Sequence, residues 1–320
     1  MNTERKGNRQ MQKKEFYFDS RDGVSKIHAV EWIPKQEPVA IVQIVHGMAE
    51  YIERYEELAE YLTGHGILVV GDDHLGHGKT AEKNQAPFGY FCKKDAATVL
   101  VRDEHRLKKL IEEQYPTVPY IILGHSMGSF ITRNYLCRYG NGIKAAVICG
   151  TGDQAMGLVN MGLFLVKVTK LFKGEKHVAK FIDKMSFGSY NNRIENKSTD
   201  YDWLSRNKEN VEAYIKDPEC GFIFTVNGFE TLLTLVKRLK DKTYIEKMPK
   251  ELPIFFIAGK EDPVGEYGEA VKRVYQQFQE IGMKDVSIKL YENDRHEIFN
   301  EDDKKMIFED VYQWIVKKIG

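Results

Sequence analysis

One serine in this sequence stands in a pattern that suits nucleophilic chemistry. An apolar run over 120–123 is followed by the letters GHSMG at 124–128, which fit the pattern G-x-S-x-G, and a helix-like pattern begins directly afterwards. A buried strand, a tight turn carrying a serine and a following helix form the arrangement called a nucleophile elbow. In that arrangement the hydroxyl projects from the end of a sheet, so Ser126 is the predicted nucleophile.

The two glycines beside the serine have a physical purpose in such a turn. Side chains at Gly124 and Gly128 would collide with the neighbouring strand and helix. The backbone N–H of Met127 would lie at the helix start, where unpaired donors and the helix dipole favour a developing negative charge. Because five-letter matches also occur by chance, this interpretation requires a base, an acid and a second N–H donor elsewhere in the chain.

The base and the acid are sought in loops that follow later strands, since a serine hydroxyl is a poor nucleophile until a base takes its proton. His296 follows the last predicted strand, which fits the order serine, aspartate, histidine along the chain. The alternative for His296 is a surface histidine in a charged loop. Asp262 follows the preceding core strand and is the predicted partner that orients the imidazole. Asp294 is the rival, but it is only two residues from His296 and would have difficulty facing it.

A second oxyanion donor is expected from the loop after an earlier strand. That loop contains His46, Gly47 and Met48, and the glycine would let the backbone approach the substrate. The N–H of Met48 is therefore predicted to complete the hole with that of Met127. The alternative is an ordinary strand-to-helix turn.

A glycine-rich segment over 71–78 looks at first like a metal site. Four side chains of types that bind metals lie close together in it: Asp72, Asp73, His74 and His77. Gly76 and Gly78 make the segment a turn, however, and not a helix that would align the histidines. We expect the side chains to bond their own backbone, and we expect no metal and no organic cofactor.

Strands and helices alternate on both sides of the serine motif. The predicted strands are Glu15–Asp19, Lys26–Ile33, Ala40–Val45, Ile67–Val70, Tyr120–Leu123, Ala145–Cys149, Pro253–Ala258 and Val286–Tyr291. The predicted core helices are Glu53–Leu62, Ala96–Gln114, the one that follows the serine, Tyr267–Ile281 and Asp303–Ile319. Strands that are apolar on both faces predict a mostly parallel α/β sheet with helices on both sides, whose ligands bind at the carboxyl ends of the strands.

The alternation stops between residues 150 and 243, where helical patterns dominate. We predict a flexible N-terminal tail over 1–14, a core formed by 15–150 and 245–320, and a helical insertion over 151–244, called the cap segment below. An apolar stretch over 156–172 is interrupted by polar residues and is too short to span a bilayer. It either lines an acyl pocket or lies partly exposed and contacts membranes or micelles.

Bulk composition excludes several classes of protein. Lys+Arg and Asp+Glu both number 47, and a neutral chain is a poor candidate for binding nucleic acid. The N-terminus is polar, which predicts no signal peptide. The cysteines show no C-x-x-C pair, which disfavours a disulfide framework: Cys92, Cys137, Cys149 and Cys220. We expect a cytoplasmic protein, with peripheral membrane contact left open and the oligomeric state undetermined.

Five blocks, in order, resemble the monoacylglycerol lipase and lysophospholipase branch of the α/β-hydrolases, which is similar to the serine aminopeptidase S33 proteins. The blocks are HGMAEYIERY at 46–55, DHLGHGKT at 73–80, GHSMGS at 124–129, GKEDPVG at 259–265 and DRHEIFNE at 294–301. Leu75 and Thr80 depart mildly from the pattern of the branch. The resemblance implies an α/β-hydrolase fold with a helical cap.

The same resemblance implies roles for named residues. Ser126, Asp262 and His296 would form the catalytic triad, and Met48 and Met127 would donate the oxyanion N–H groups. Three further residues would line the polar end of the pocket, or would form a structural polar cluster under the cap: Glu50, Arg54 and His125.

The sequence therefore predicts a serine ester hydrolase that acts on one acyl chain attached to a small polar group. Monoacylglycerol is the first choice and lysophospholipid the second. Other readings are a carboxylesterase or thioesterase on a non-lipid ester, and a binding protein that has kept the fold without catalysis. The last is disfavoured because no predicted triad member is missing.

Overall fold

The computed structural model describes residues 11–320, within which eight strands form one sheet. The strands are β1 (Met11–Asp19), β2 (Lys26–Pro34), β3 (Ala40–Val45), β4 (Ile67–Asp72), β5 (Tyr120–His125), β6 (Ala145–Cys149), β7 (Ile254–Gly259) and β8 (Val286–Tyr291). They lie in the order β1-β2-β4-β3-β5-β6-β7-β8. Only β2 runs against its neighbours, so the predicted mostly parallel sheet is confirmed.

Helices cover both faces of this sheet. They are α1 (Glu56–Gly64), α2 (Gly78–Lys83), α3 (Ala96–Gln114), α4 (Met127–Tyr139), α5 (Met156–Lys173), α6 (Lys180–Phe187), α7 (Lys208–Lys216), α8 (Val226–Arg238), α9 (Lys242–Ile245), α10 (Glu269–Glu280) and α11 (Lys304–Ile319). Short 3₁₀ turns occur at Ile52–Tyr55, Gly140–Gly142, Asp202–Leu204 and Ile298–Asn300. The predicted helix over 53–62 is thus a 3₁₀ turn that leads into α1.

The central strands are apolar throughout because each of their faces is buried. Ile121 and Leu123 belong to the cluster that α1 and α11 cover, whereas Ile122 belongs to the cluster under α3, α4 and α10. Successive side chains of a strand point to opposite faces, so a continuous apolar run is what two covering layers require. Each such buried side chain stabilises the fold by about 1.5–3 kcal/mol.

The register brings the functional loops to one edge. Val45 at the end of β3 pairs with Gly124 in β5, and His125 at the end of β5 pairs with Cys149 in β6. The loops after these strands, and those after β7 and β8, therefore leave the sheet at the same side.

The N-terminal hairpin begins earlier than predicted. β1 starts at Met11, so the last four residues of the predicted tail belong to a strand paired with β2 as far as Pro34. Residues 12–15 are all polar, so no apolar pattern marks the start of this strand. The rest of that predicted tail, 1–10, lies outside the described residues.

The segment between β6 and β7 holds the helices α5 to α9, as the loss of alternation predicted. α5 packs on α8, and α8 in turn packs on α3 and α4 of the core. The cap segment is therefore anchored along one side of the sheet as well as above its edge. The division of the chain at 151 and 244 stays a prediction.

Candidate active site

Ser126 stands at a strained turn between β5 and α4. Its backbone has φ 55° and ψ −121°, a conformation that side-chain-bearing residues rarely adopt. A Cβ atom on Gly128 would lie 1.9 Å from the carbonyl oxygen of Val45, and one on Gly124 would lie 2.3 Å from Thr132 Oγ1. Any side chain at position 124 or 128 would therefore clash with the surrounding residues, as the sequence predicted for these two glycines.

The base candidate and the acid candidate are in contact. His296 Nδ1 lies 2.9 Å from Asp262 Oδ2, and both side chains are buried. The other carboxylate oxygen of Asp262 accepts the N–H of Val264 at 2.8 Å, which fixes the orientation of the carboxylate. Asp294 points elsewhere and accepts a hydrogen bond from Arg206 at 2.6 Å. The geometry thus favours Asp262 over its rival.

Ser126 and His296 line the same cavity but do not share a hydrogen bond among those formed by the described residues. A catalytic serine–histidine hydrogen bond is often long until substrate is bound. His296 is held from the cap side as well, since its ring lies 5.2 Å from that of Trp203 and its backbone N–H faces the Trp203 carbonyl at 3.5 Å. The two contacts with Trp203 therefore help to position the imidazole on the cavity wall.

The loop after β3 lies directly beside the nucleophile. A Cβ atom on Gly47 would lie 2.5 Å from Glu50 Oε1 and 3.1 Å from the Ser126 Cβ, so glycine avoids two tight contacts here. The N–H of Gly47 is bound by Glu50 Oε1 at 2.6 Å, and that of Ala49 by His77 Nε2 at 3.3 Å. Between them, the N–H of Met48 donates to no other residue in 11–320, and neither does that of Met127. Both donors are available for an oxyanion.

The three predicted substrate-binding residues form one buried hydrogen-bonded cluster. Glu50 accepts hydrogen bonds from Arg54 at 3.0 Å and Tyr55 at 2.8 Å, and Glu50 Oε1 lies 3.3 Å from His125 Nδ1. Burial opposes a charged Glu50, but the contact with His125 and the charge of Arg54 hold its pKa well below its usual range. Burial likewise opposes a charged His125, yet the Glu50 carboxylate raises the pKa of its imidazole.

The cluster also connects the predicted base loop with the cap segment. Arg54 forms two hydrogen bonds with the carboxylate of Glu297, at 2.6 and 2.8 Å, and Glu297 accepts a third from Asn210 of the cap segment. Glu50 and His125 line the cavity, whereas Arg54 does not. A role of Glu50, Arg54 and His125 in substrate binding stays a prediction. Their mutual hydrogen bonds are those expected of the alternative, a structural polar cluster under the cap.

A cavity of about 740 Å³ extends from Ser126 and His296 into the cap segment. Its far part is lined by apolar side chains of α5 and α8, among them Leu158, Val159, Met161, Leu165, Phe229 and Leu233. Ligand pockets of enzymes commonly have this size and this apolar lining with a few polar groups at one end. The cavity can hold an extended apolar chain whose polar end lies at the serine.

The outer face of α5 is unusually apolar. Phe164, Leu171 and Phe172 are exposed, the last two by 80% and 79%. One face of the helix therefore lines the cavity while another is open to solvent. Contact of the exposed face with membranes or micelles stays a prediction. No helix within residues 11–320 is long and apolar enough to cross a bilayer.

The side chains of the glycine-rich loop over 71–78 point in two directions. Asp73 accepts the N–H groups of Ile52 at 2.9 Å and Lys79 at 3.0 Å, and His77 contacts the Leu75 carbonyl at 3.0 Å, as expected for a self-bonded turn. Asp72 and His74 instead turn toward α3 and lie beside Glu104.

Two residues near the site were not singled out from the sequence. Glu297 follows the predicted base directly and pairs with Arg54. An acidic residue in the block at 294–301 and an arginine in the block at 46–55 could have suggested this ion pair from the sequence. Trp203 packs against His296 from an irregular part of the cap segment, where the sequence has no periodic pattern to place it.

Comparison with known proteins is consistent with this geometry. The sequence model of the serine aminopeptidase S33 family matches residues 36–303. A monoacylglycerol lipase of Mycolicibacterium smegmatis is 29% identical over 309 residues, which cover 95% of this chain and 98% of the relative. A monoglyceride lipase of Mus musculus is 27% identical, with 90% and 86% covered.

A solved structure shares the fold closely. The thermostable carboxyl esterase from Bacillus coagulans, determined in complex with glycerol, has a TM-score of 0.90 and 32% sequence identity, and the match covers 97% of this chain and 100% of the esterase. The expected α/β-hydrolase fold is thereby confirmed.

Proposed function

The chain belongs to the serine aminopeptidase S33 family and is an ester hydrolase of the lipase and esterase kind; on this premise we propose that it hydrolyses monoacylglycerol-like lipids to fatty acid and glycerol. One observation carries the proposal. Ser126 and His296, which is paired with Asp262, line a mostly apolar cavity of about 740 Å³.

The proposed mechanism assigns each group one task. Ser126 Oγ attacks the ester carbonyl while His296 Nε2 takes the hydroxyl proton and then gives it to the leaving alcohol. Asp262 accepts the Nδ1–H of His296 and stabilises the imidazolium. The oxyanion forms beside the free N–H groups of Met48 and Met127, each worth about 2.7–4 kcal/mol in the transition state. Water, deprotonated by His296, then releases the fatty acid and restores Ser126.

The lining of the cavity and the related proteins both support a single-chain lipid ester as the substrate. The apolar lining from α5 and α8 suits a single acyl chain, and the related Bacillus coagulans esterase was solved with glycerol. A lysophospholipid is the second candidate because two exposed lysines, Lys184 and Lys197, line the cavity and would attract a phosphate. Asp183 and Asp200 lie in the same lining and would weaken that attraction.

We also propose transient contact between the cap segment and lipid surfaces. The exposed apolar residues of α5 continue onto α6, where Phe181 is 68% exposed. Exposed lysines flank this apolar face: Lys167, Lys173, Lys176, Lys180 and Lys184. An apolar face bordered by positive charge is typical of helices that lie in the interface of anionic membranes.

The mechanism is tested with Ser126→Ala. Turnover of a monoacylglycerol should fall by several orders of magnitude, on the scale of other triad knockouts, while the unfolding midpoint stays close to wild type. Ser129→Ala is the matched control, since this buried serine of α4 donates only to Thr151 and should retain turnover within a few-fold. Near-normal turnover by purified Ser126→Ala would refute the mechanism.

The substrate class is tested separately. The kcat/KM of glycerol monoesters of rising acyl length is compared with that of short soluble esters and of lysophospholipids. We expect long glycerol monoesters to be preferred, because each added methylene buried in the cavity contributes about 0.8 kcal/mol. A preference for acetate or butyrate esters would contradict the lipase assignment and leave the triad intact.

A further inference from the structure

A second cluster of chemically capable side chains lies behind the active-site loops. Asp72 ends β4, His74 follows two residues later, and Glu104 comes from α3; each is 1% exposed. His74 Nδ1 lies 3.2 Å from Glu104 Oε1 and 3.7 Å from Asp72 Oδ1. The three potential ligand atoms all lie within 4.8 Å of one another. The proposed hydrolysis uses none of them.

Several oxygens of this cluster have no hydrogen-bond donor. Within residues 11–320, both carboxylate oxygens of Asp72 and Oε1 of Glu104 are buried without a hydrogen-bond partner. A buried charge without a partner is strongly destabilising. Two such carboxylates are therefore stable together only if a proton or a cation neutralises part of their charge.

The imidazole of His74 is oriented toward the same point. Its Nε2 lies 3.2 Å from the carbonyl oxygen of His46, which can only accept, so Nε2 carries the proton. A neutral His74 then directs the Nδ1 lone pair at the two carboxylates. A lone pair and two carboxylate oxygens converging in a dry site form a ligand set for a cation.

We propose that Asp72, His74 and Glu104 bind one divalent cation of the zinc or manganese class. With metal–ligand bonds of about 2.0–2.2 Å, neighbouring ligand atoms lie roughly 3–3.5 Å apart, close to the two contacts of Nδ1. One imidazole with two carboxylates suits such ions better than calcium, which takes 6–8 oxygen ligands.

The surrounding contacts hold the ligands as metal sites require. Glu104 Oε2 accepts a hydrogen bond from Gln43 at 2.6 Å, and Gln43 in turn accepts one from Tyr120 at 2.6 Å. The Nε2–H of His74 donates to a backbone carbonyl, the usual support for a ligating histidine.

The site would act through structure and not through the reaction. The His46 ring stacks on that of His74 at 3.8 Å, and the N–H of His74 donates to His46 Nε2 at 3.0 Å. His46 precedes Gly47 and Met48 directly, so a cation here would stabilise the loop that carries one proposed oxyanion donor. It would contact no substrate.

Metal content and stability test the proposal. Because the site is sealed, the full-length protein is unfolded with a chelator, refolded with and without Zn²⁺ or Mn²⁺, desalted and analysed for bound metal. We expect about one equivalent of one of these ions per chain and an unfolding midpoint several degrees higher than that of the metal-free protein. Ca²⁺ and Mg²⁺ should give neither.

Variants identify the ligands. Asp72→Asn and Glu104→Gln should both lose the bound metal and the rise in midpoint; their metal-free forms should still fold, since each removes one uncompensated charge. Asp103→Asn is the matched control, because this neighbouring buried carboxylate is already bonded by Ser20 at 2.8 Å and the Arg21 N–H at 2.5 Å and should retain the metal.

Two outcomes would overturn the inference. One is metal binding that survives both Asp72→Asn and Glu104→Gln; the other is no retained metal, in which case a proton on His74 supplies the charge. Ser126→Ala should bind metal like wild type, so the result is independent of the proposed hydrolysis.

Discussion

At the scale of single residues, the acid of the site is decided by what each carboxylate contacts. Asp262 and Asp294 follow neighbouring strands and are both fully buried. Asp262 faces the imidazole of His296, whereas Asp294 is engaged by Arg206. The order of residues along the chain favoured Asp262 as the acid, and these contacts support the same choice.

These contacts predict unequal effects of two matched substitutions. Asp262→Asn should lower kcat by about 10³–10⁴-fold, because an amide cannot stabilise the imidazolium and favours the wrong tautomer. Asp294→Asn should change kcat by no more than a few-fold. Steady-state kinetics on a soluble ester would measure kcat for both variants. An equal loss of kcat in the two would contradict the assignment of Asp262 as the acid.

Asp294 also predicts a dependence of stability on pH. Burial, followed by the charges of Asp303 and Glu301, raises the pKa of its carboxyl to about 7. The folded protein thus holds a proton that the unfolded chain has lost above the ordinary value of 3.8. The contribution of Asp294 to the free energy of unfolding is present below pH 4 and is lost as the pH rises through 7.

Asp294→Asn should remove this slope. Between pH 4 and 8, the free energy of unfolding of wild type should fall by about 1–2 kcal/mol more than that of the variant, since one pKa unit corresponds to about 1.4 kcal/mol and solvent at the partly exposed Arg206 screens part of it. Urea unfolding at each pH measures the difference. Asp200→Asn, an exposed substitution, serves as control, and parallel curves for wild type and Asp294→Asn would contradict the prediction.

At the scale of elements, the site depends on how closely β3, β5 and α4 approach. Gly128 on α4 touches the end of β3, and the loop from β3 carries Gly47 against Ser126. The position of the proposed nucleophile and that of one proposed oxyanion donor are therefore coupled through these two close approaches.

Gly128→Ala should damage both stability and catalysis. The new methyl group would overlap the carbonyl oxygens of Val45 and His46, which would force β3 and α4 apart at a cost above about 2 kcal/mol. Gly157→Ala in α5 is the matched control, since no atom lies within 4 Å of its added Cβ and alanine favours a helix by roughly 0.5–1 kcal/mol. Thermal unfolding and esterase assays should separate the two; a stable, active Gly128→Ala would contradict the contact.

At the scale of the whole molecule, charge and apolar surface are distributed unevenly. The chain has no net charge, yet the exposed apolar face of α5 and α6 is bordered by lysines. This face lies on the cap segment, on the other side of the helix that lines the cavity.

The membrane contact is tested with vesicles. Leu171→Ser with Phe172→Ser should weaken co-sedimentation with anionic phosphatidylglycerol vesicles at least about tenfold, since each side chain contributes about 1.5–3 kcal/mol when buried. Hydrolysis of a soluble short ester should be unchanged. Val24→Ser, which alters an 88% exposed residue of the distant hairpin, is the control. Equal binding by all variants would place the contact elsewhere.

Much of the core was predictable from local patterns. The strands β3, β6 and β8 begin and end where the sequence predicted. β3 and β6 are buried throughout and therefore appear as short apolar runs, whereas the partly exposed β8 alternates polar and apolar residues along most of its length. Ser126, Asp262 and His296 could be named because glycines and strand ends mark the places where an α/β sheet carries chemistry.

Other features were decided only by the tertiary structure. Three sets of contacts join segments that lie far apart in the chain: Trp203 with His296, Arg54 with Glu297, and Asp72 and His74 with Glu104. Local sequence periodicity cannot predict such long-range contacts. The sequence by itself determined the order of elements, the strained serine turn and the candidates for acid and base, since backbone sterics and strand burial are local. Which carboxylate meets which partner, and which face of α5 meets solvent, followed only from packing.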